Sequence, residues 1–482
     1  MTAFEFRADG PTFSAAAPIG TPLQPAMRAS RARMALISAV DELCGIGAYC
    51  HALEKQLNRD FEVTVYGLDQ YLLRGRHSRI RRLGDRHIKE ICREIGRFDA
   101  VNLQLEHGTL GRGARDIYRR FGWIVAAAPQ ISVTFHTMLA TPEFDFAAWA
   151  RALRRLDLVT ALRLHSQYLR NNLLSAGVVH RIRRAQRRKR AVAIVHNRHD
   201  LRQMAELHGI REVYDHPLAF LGEAEAREVR AGARRERFPL LGKVSDDARL
   251  IGVFGFFGRY KGFETVIRAM QHLPGEYHML IFGGLHPNEI PRNQPIDLRI
   301  ASLLDAGYVD TSLIERAKTE AGQESLSLSV SIDQSLRDIL VHHPKDLSGR
   351  LHFMGALDER DFLAGMAICD AVVMPYLDVG QSSSGPIAQA IELGCRVIAS
   401  RTRNFLQLAT YHPQRIEFFD IGNHLELAER IMAAPQFSTQ QGLLRFNVET
   451  NKAIYVAANQ RDRIFPPPTL RRRAKTREPA KG

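Results

Sequence analysis

The sequence predicts an α/β protein built from two doubly wound parallel sheets. Short apolar stretches typical of strands alternate with longer helical stretches, and this alternation restarts near residue 250 after a polar, charged segment. Such alternation indicates parallel strands joined by crossover helices that cover both faces of a sheet. A Gly-rich turn follows the first strand of each half, at 45–47 and at 255–262. A chain of 482 residues is also too long to fold around a single hydrophobic core, so we expect two halves of similar architecture.

Five stretches of the first half predict strands, and polar residues follow three of them. The predicted strands lie at 35–40, 61–65, 101–105, 131–135 and 192–195. Glu106 and His107 follow the third, His136 follows the fourth, and His196 and Asn197 follow the fifth. Ligand sites of open parallel sheets lie beyond the C-terminal strand ends, so these side chains are candidate binding residues. Each also has a plainer interpretation as a polar residue that is satisfied at a strand end.

Gly45 and Gly47 lie where the first predicted strand turns into a helix. Apolar residues at 46, 49, 53 and 57 fall on one helical face. The two glycines would let the backbone approach a ligand closely. A tight turn with positive φ would require the same glycines, so this alternative stays open.

The second half repeats the pattern with six predicted strands. They lie at 250–254, 277–282, 351–354, 370–374, 396–399 and 416–419, with helices at 263–272, 358–367, 423–434 and 440–459. Between the fourth and fifth of these strands, Pro386 opens a predicted helix that ends at Gly394. Ser383 and Ser384 are N-cap candidates before it. A helix N-terminus preceded by Ser and Gly favours an anion, although an ordinary turn would have the same residues.

The domain organisation follows from these patterns and from changes in composition. We expect a disordered leader (1–33), a first domain (34–221) with a basic helical segment (145–190), a linker (222–248), a second domain (249–435) with an insertion at about 285–349, a C-terminal helix (436–465) and a basic disordered tail (466–482).

The composition indicates a globular protein of a reducing compartment. Hydrophobic residues make up 45% of the chain, and no run approaches the ~18 apolar residues of a membrane-spanning helix. The N-terminus lacks the apolar core of a secretory signal. Five cysteines show no CxxC pair and no metal-ligand spacing. We therefore expect a cytoplasmic protein.

The net charge of +15 is concentrated in three stretches. Residues 74–86 carry +5, residues 181–190 carry +7 and residues 461–482 carry +6. Discrete basic patches suit an anionic membrane surface or nucleic acid. Solvated helix faces and a disordered tail are the alternative.

Seven motifs in order resemble the retaining GT-B glycosyltransferases of family 4. The motifs are GIGAY, NLQLEHG, VTFHT, FGFFGRYKGFETVIRAM, LIFGG, LHFMGALDERDFLAGMAICDAVVMPY and SGPIAQAIELGCRVIAS. The resemblance covers most of residues 34–435. It implies two Rossmann-like domains that face a central cleft and transfer of a hexose from a nucleotide diphosphate sugar.

The resemblance also implies roles for individual residues. Lys261 matches the family lysine that grips the donor diphosphate, and Arg259 stands in for the family arginine whose position is Phe256 here. His136 matches the histidine that contacts the donor sugar near the reacting carbon. The further implied donor-binding residues are Gly45, Gly47, Ser383, Ser384, Gly385, Pro386 and Gln389. The implied acceptor-binding residues are Glu106, His107, His196 and Asn197.

The sequence departs from the family at two glutamates, which are Gln381 and Gln389 here. Gln381 would contact the donor sugar as a catalytic residue, and Gln389 would contact the ribose. An amide still recognises hydroxyls but loses the negative charge that stabilises a cationic transition state. No Asp-x-Asp occurs in the sequence, so we expect no metal cofactor.

The expected function is therefore transfer of a hexose, with retention, in polysaccharide or glycoconjugate biosynthesis. The expected donor is a UDP- or GDP-sugar, and the expected acceptor is a saccharide or a polyprenyl-linked saccharide. The basic stretches favour a peripheral position on the inner face of a membrane. The alternative is a catalytically silent GT-B binding or assembly protein. Nucleic-acid binding is the third interpretation. Because no recognised nucleic-acid motif supports it, no nucleic-acid partner is expected.

Overall fold

The computed structural model describes residues 31–40, 45–139, 142–284, 347, 349–437 and 444–460. These residues form twelve strands, in chain order β1 (Ala32–Ser38), β2 (Phe61–Gly67), β3 (Ala100–Leu105), β4 (Ile131–Phe135), β5 (Ala191–Val195), β6 (Val213–Asp215), β7 (Arg249–Phe254), β8 (Tyr277–Phe282), β9 (Leu351–Gly355), β10 (Ala371–Met374), β11 (Val397–Ser400) and β12 (Ile416–Phe419).

The described helices are α1 (Gly45–Leu57), α2 (Gln70–Arg74), α3 (Ser78–Ile95), α4 (Ala114–Ala127), α5 (Phe146–Arg154), α6 (Leu158–Asn172), α7 (Val178–Ala185), α8 (Arg198–Arg202), α9 (Glu223–Gly232), α10 (Phe263–Met270), α11 (Glu359–Ala367), α12 (Gly385–Glu392), α13 (Arg403–Tyr411), α14 (His424–Met432) and α15 (Val448–Asn459).

The strands make two six-stranded sheets in which every pairing is parallel. The first has the order β2-β1-β3-β4-β5-β6 and the second β12-β11-β10-β7-β8-β9. The order reverses between β1 and β3 and between β7 and β10, and ligand crevices of such sheets form at these switch points. The predicted fold class, two doubly wound parallel sheets, is confirmed.

Both faces of each sheet are buried because successive strand residues belong to different cores. Met34 and Leu36 lie in one hydrophobic cluster, whereas Ala35 and Ile37 lie in another. The second sheet divides in the same way. The cluster that contains Met34 also extends to the second sheet, so one apolar core is shared by the two halves. This burial explains why several strands, such as β5 and β10, are continuous apolar runs.

The predicted strands agree with the structure except at a few places. β1 begins at Ala32, inside the predicted leader, because its backbone pairs with β2 from Ala32 onward and Arg33 N–H bonds Asp99. The three-residue strand β6 was not predicted because it is too short to show alternation. Helix α13 was also missed, although Thr402 caps it as a recognisable N-cap residue.

Three predicted segments lie largely outside the described residues. They are the leader before residue 31, the insertion at about 285–349 apart from residues 347 and 349, and the basic tail 466–482.

The C-terminal helix starts later than predicted and packs on the first sheet. Its N-terminus is set by a capping box, in which Asn447 accepts from Thr450 N–H and Thr450 Oγ1 accepts from Asn447 N–H. The helix therefore begins at Val448 and not near 440. From the far end of the chain, Tyr455 and Asn459 reach β4 of the first sheet.

The predicted linker at 222–248 is structured. It contains α9 and two short 3-10 helices, with Ala226, Phe238 and Leu241 buried. The polar composition of this segment comes from its exposed face, which is why the sequence resembles a linker.

A pair of arginines plays the same role in the two sheets. Arg190, just before β5, pairs with Glu212 and donates to the last carbonyls of α15. Arg396, just before β11, pairs with Glu417 and donates to the last carbonyls of α14. Each guanidinium thus joins two strands to the C-terminus of a helix, where a cation is favourable.

The pair between Arg396 and Glu417 should contribute strongly to stability. Its side chains are only 10% and 3% exposed, so a Glu417→Gln change leaves a buried cation without its carboxylate. We expect a loss of about 3 kcal/mol in the free energy of unfolding, measured as a lower urea midpoint. The matched control is Asp420→Asn, which breaks the exposed pair with Arg401 and should cost less than about 1 kcal/mol. Equal shifts in the two variants would contradict this assignment.

Candidate functional site

Lys261 is the buried cation at the switch point of the second sheet. It closes the 3-10 turn Arg259–Lys261 after β7 and is 6% exposed. Its ammonium donates to the Tyr376 hydroxyl and lies 4.0 Å from the centre of the Tyr376 ring. Burial lowers the pKa of Lys261. Among the described residues no carboxylate pairs with it, and the groups that contact its side-chain nitrogen, Tyr376 and Tyr260, are neutral.

Two glycines allow the backbone to place this lysine. Gly262 has φ +63°, and a Cβ there would lie 2.0 Å from the Pro375 carbonyl oxygen at the end of β10. Gly283, after β8, has φ +147°, and a Cβ there would lie 2.0 Å from the Gly255 carbonyl oxygen. The loops after β7, β8 and β10 can therefore meet only if these positions carry no side chain.

Tyr376 connects Lys261 to the start of α12. Its hydroxyl lies 3.1 Å from Ser384 Oγ, and Ser384 is the N-cap residue of that helix. The Ser384 side chain makes no capping hydrogen bond. Helix α12 begins at Gly385, with Pro386 in its first turn, one residue earlier than predicted. The positive end of this helix and the Lys261 ammonium thus share one corner of the sheet.

The serine loop before α12 contacts the strand ends of the first sheet. Ser383 Oγ donates to the His136 carbonyl (3.2 Å), and the Met138 N–H donates to Ser382 Oγ (2.9 Å). The Asn197 side-chain amide donates to the Ser382 carbonyl (3.3 Å). Candidate residues that lie far apart in the sequence are therefore brought together here.

Gln381 and Gln389, the two glutamines noted in the sequence, lie on this loop and helix. Gln381 is half-buried, and its Oε1 is buried without a hydrogen-bond partner among the described residues. A buried acceptor of this kind costs free energy until a donor reaches it. Gln389 is buried on α12.

His136 follows β4 and is buried between aromatic rings. Its Nε2 lies 2.8 Å from Gln104 Oε1, and its ring centre lies 5.6 Å from Tyr49 and 5.1 Å from His196. Burial, together with the neighbouring His196, lowers the pKa of His136 well below its ordinary value. The imidazole is therefore neutral at physiological pH.

His196 and Asn197 lie beside His136 but are largely occupied by other contacts. His196 Nδ1 bonds the His216 carbonyl (3.0 Å), and burial lowers the pKa of His196 to about 4. Its buried Nε2 has no partner in the described part of the chain. Asn197 caps α8 through the Asp200 N–H and also donates to the Asp200 carboxylate. Asn197 therefore holds the serine loop in place.

Glu106 and His107 follow β3. Glu106 is half-buried and accepts from the Thr137 hydroxyl (2.8 Å), while burial raises its pKa. His107 is buried with Nε2 3.1 Å from the Leu174 carbonyl, and burial lowers its pKa to about 4. His107 therefore contacts the helical segment 145–190, whereas Glu106 contacts Thr137 beyond the end of β4.

Gly45 and Gly47 differ from expectation in their place on α1. Gly45 and Gly47 lie inside the first turn of α1 and not in a turn before it, and neither has positive φ. The tight-turn explanation for these glycines is therefore wrong. Arg259 is exposed on the turn that carries Lys261.

Sequence reasoning missed two groups at this site. Tyr376 had a weak signal, as the aromatic residue just after β10. Glu392 had none, because a glutamate late in a helix is normally exposed. Its carboxylate accepts from the N–H groups of Phe220 (2.9 Å) and Leu221 (3.1 Å) and so joins α12 to the connection between the halves. Burial raises the pKa of Glu392 to about 8.

The basic run 181–190 is only partly available to a partner. Arg181 lies 4.0 Å over the Tyr118 ring, and Arg190 forms the structural pair described above. Lys189 donates to the carbonyls of Val125 and Ala128. Exposed arginines of this run are Arg183, Arg184, Arg187 and Arg188. In the 74–86 stretch, Arg81 likewise pairs with Asp116.

Other kinds of site are not evident in the described part of the chain. It contains no cluster of three or more His, Cys, Asp or Glu residues placed to hold a metal ion. A cavity of about 350 Å³ lies beside α6 and α7 and is lined by none of the predicted site residues. No described helix is both long enough and apolar enough to cross a membrane.

The sequence matches no protein-family model and no curated protein sequence. Several solved structures are similar in fold. A UDP-forming α,α-trehalose-phosphate synthase from Burkholderia xenovorans has a TM-score of 0.54 at 11% identity and covers 89% of this chain and 98% of its own. A sucrose-phosphate synthase from Thermosynechococcus elongatus has a TM-score of 0.51 at 15% identity, with coverages of 88% and 97%.

A third similar structure is WaaG, a glycosyltransferase involved in lipopolysaccharide biosynthesis. Its TM-score is 0.50 at 12% identity, with coverages of 87% and 99%. At these identities the likeness concerns the fold alone. The chain adopts the GT-B fold, with two Rossmann-like domains.

Proposed function

We propose that the protein is a glycosyltransferase of the family 4 type, which transfers a hexose from a nucleotide diphosphate sugar with retention. The observation that carries this proposal is Lys261, a buried ammonium without a carboxylate partner among the described residues, placed beside the start of α12. A cation that neutral groups surround is paired best by an anionic ligand. The proposed ligand is the donor diphosphate.

The diphosphate would lie between Lys261 and the N-terminus of α12. Ser383, Ser384, Gly385 and Pro386 form that terminus, where the backbone N–H groups of the residues other than proline would be available to the diphosphate. Exposed Arg259, on the same turn as Lys261, adds a second positive charge. Together these groups stabilise the charge of the leaving nucleoside diphosphate without a proposed metal ion.

The donor sugar would lie toward Gln381 and His136. The buried Gln381 Oε1 lacks a donor, and a sugar hydroxyl would supply one. Neutral His136 offers a further polar contact near the reacting carbon, and Gln389 is assigned to the ribose hydroxyls. Gly45 and Gly47, in the first turn of α1, would let the sugar approach the backbone.

The acceptor would enter from the first sheet. Glu106 lies at the end of β3, and burial raises the pKa of its carboxyl. His107, His196 and Asn197 complete the proposed acceptor side. In the transfer, the bond from the anomeric carbon to the acceptor oxygen forms, and the bond to the diphosphate breaks. The leaving diphosphate keeps the bonding electron pair, and the acceptor proton passes to it or to solvent.

The acceptor is proposed to be a saccharide or a polyprenyl-linked saccharide, in polysaccharide or glycoconjugate biosynthesis in the cytoplasm. UDP is the first nucleotide to test, because the trehalose-phosphate synthase of similar fold is UDP-forming. GDP is the second.

A catalytically silent GT-B binding or assembly protein is the second candidate. Gln381 and Gln389 favour it, since both lack the negative charge that a cationic transition state requires. Nucleotide binding without any donor hydrolysis or transfer would support this candidate.

We also propose that the protein binds an anionic membrane surface through α5 and α6. The turn between these helices exposes Leu156 (84%), and the start of α6 exposes Leu158 (61%), Val159 (68%) and Leu162 (69%). Exposed Arg155 and Arg163 flank these side chains. Apolar side chains next to arginines suit the interface of an anionic bilayer, where the apolar groups enter and the cations meet phosphates.

Removal of the Lys261 ammonium should abolish nucleotide binding. We expect UDP or GDP to give heat in titration calorimetry with the wild type, and Lys261→Ala to weaken the affinity at least about 30-fold, since a desolvated charge contact is lost. Slow hydrolysis of the matching donor sugar should disappear as well. The control is Lys243→Ala, an exposed lysine, which should leave both unchanged. Equal binding by the two variants would refute the site.

The nucleotide affinity should also fall as the pH rises. Lys261 has a lowered pKa in the free protein, and a bound diphosphate favours its charged form. Binding therefore takes up a proton once the pH exceeds the lowered pKa, so the dissociation constant increases. Measurements start above about pH 7.5, where a phosphate with a pKa near 6 is fully ionised. A Lys261→Arg variant should lose this dependence, and a wild-type affinity that is constant up to pH 10 would contradict the prediction.

The exposed leucines at the start of α6 should be required for vesicle binding. We expect the full chain to co-sediment with phosphatidylglycerol vesicles and much less with phosphatidylcholine vesicles. A Leu158→Ser/Leu162→Ser variant should reduce the bound fraction about tenfold, because two apolar contacts are lost. The control is Leu240→Ser, an exposed leucine elsewhere (56%). If the double variant binds the vesicles as well as the wild type does, the start of α6 is not the membrane-binding surface.

A further inference from the structure

Polar side chains fill the face of β3 and β4 that packs against the C-terminal helix α15. Asn102, Gln104, Ser132 and Thr134 are all fully buried there. Such groups need hydrogen-bond partners within the protein. The partners form a continuous path from α15 to His136.

The path begins at the side-chain oxygen Oδ1 of Asn459, which can accept hydrogen bonds but cannot donate them. The side-chain amide of Asn459 donates to the backbone carbonyl of Tyr455 (2.8 Å). Its Oδ1 therefore faces the other way, toward Ser132 Oγ at 2.9 Å. Because Oδ1 is an acceptor, the single hydroxyl proton of Ser132 is donated to it.

The remaining directions follow from this anchor. Ser132 Oγ, having given its proton to Asn459, accepts from Asn102 Nδ2 (2.8 Å). Asn102 Oδ1 must then accept from Gln104 Nε2 (2.6 Å). Gln104 Oε1 is left to face His136 Nε2 at 2.8 Å. A flipped amide anywhere along the path would set two donors or two acceptors against each other.

Thr134 and Tyr455 support the same arrangement from the side. Thr134 Oγ1 accepts from Asn102 Nδ2 (3.2 Å) and from Gln104 Nε2 (3.3 Å). It also bonds the Tyr455 hydroxyl (2.9 Å). Both amide nitrogens are thereby held on the side that the path requires.

We infer that this path fixes His136 as the neutral imidazole with its proton on Nε2, so that Nδ1 is a hydrogen-bond acceptor. Gln104, Asn102, Ser132 and Asn459 are then positioning residues, which act through His136. Within the described residues, Nδ1 makes no hydrogen bond. If the proposed function holds, Nδ1 accepts a hydroxyl hydrogen of the donor sugar and cannot donate a proton to it. The lowered pKa of His136 agrees with a neutral ring.

The protonation state can be read without any substrate. The full chain, labelled with ¹⁵N-histidine, is compared with His136→Gln to assign the ring. At neutral pH we expect a proton on Nε2 that exchanges slowly with water and no proton on Nδ1. Gln104→Leu should speed that exchange about tenfold, as expected for the loss of one hydrogen bond. Gln104→Glu should raise the pKa of His136 and protonate Nδ1 near neutral pH, because it places a carboxylate beside Nε2.

The control is Gln130→Leu, which removes a buried glutamine on the same sheet. Gln130 donates to the carbonyls of Asp99 and Asn459 and lies outside the path. This variant should keep the His136 signals of the wild type, and unfolding midpoints identify any variant that fails to fold. A proton on Nδ1 in the wild type, or the same response in Gln104→Leu and Gln130→Leu, would overturn the inference. Correct His136 signals without nucleotide binding would instead count against the proposed function alone.

Discussion

The buried ammonium of Lys261 is the constraint on which the second half of the structure depends. A charge in this position needs compensation, and among the described residues only hydroxyl and aromatic groups contact it. Its placement requires loops that cross at van der Waals distance, which is why Gly262 and Gly283 carry no side chain. It also requires the strand order to reverse between β7 and β10, because the loops that follow these two strands then lie side by side. The diphosphate of the proposed function would supply the missing compensation.

The sequence predicted the strand positions well because buried parallel strands are continuous apolar runs with few alternatives. It also predicted the turn that carries Lys261 and the start of α12 to within one residue, because Gly, Ser and Pro have strong local preferences. It predicted Gly45 and Gly47 less well, because a glycine before a helix and one inside its first turn look alike in the sequence. The hydrogen bonds between Ser382, Ser383 and the first sheet depend on tertiary contacts that no local pattern encodes.

The polar residues of β3 and β4 show a limit of structure prediction from sequence patterns. Asn102 and Gln104 alternate with Val101 and Leu103, which is typical of a strand with one face in water. In the structure that face is buried by α15, which follows more than 340 residues later in the chain. The alternation here reflects a face that packs against a helix rather than a face in solvent. Charge patterns behaved similarly, since Arg181, Lys189 and Arg190 of the basic run serve internal contacts.

The position of α15 has a consequence for how the chain is made. The first sheet leaves the ribosome early, yet its buried amides receive their anchor only when residues 448–459 have been synthesised. Until then Ser132 lacks the Asn459 acceptor that fixes the direction of its hydroxyl proton, and Thr134 lacks the Tyr455 hydroxyl. The first half is thus complete in sequence long before it is complete in structure. The hydrogen bonds that orient His136 would therefore acquire their fixed directions only after residues 448–459 have been synthesised and packed on the first sheet.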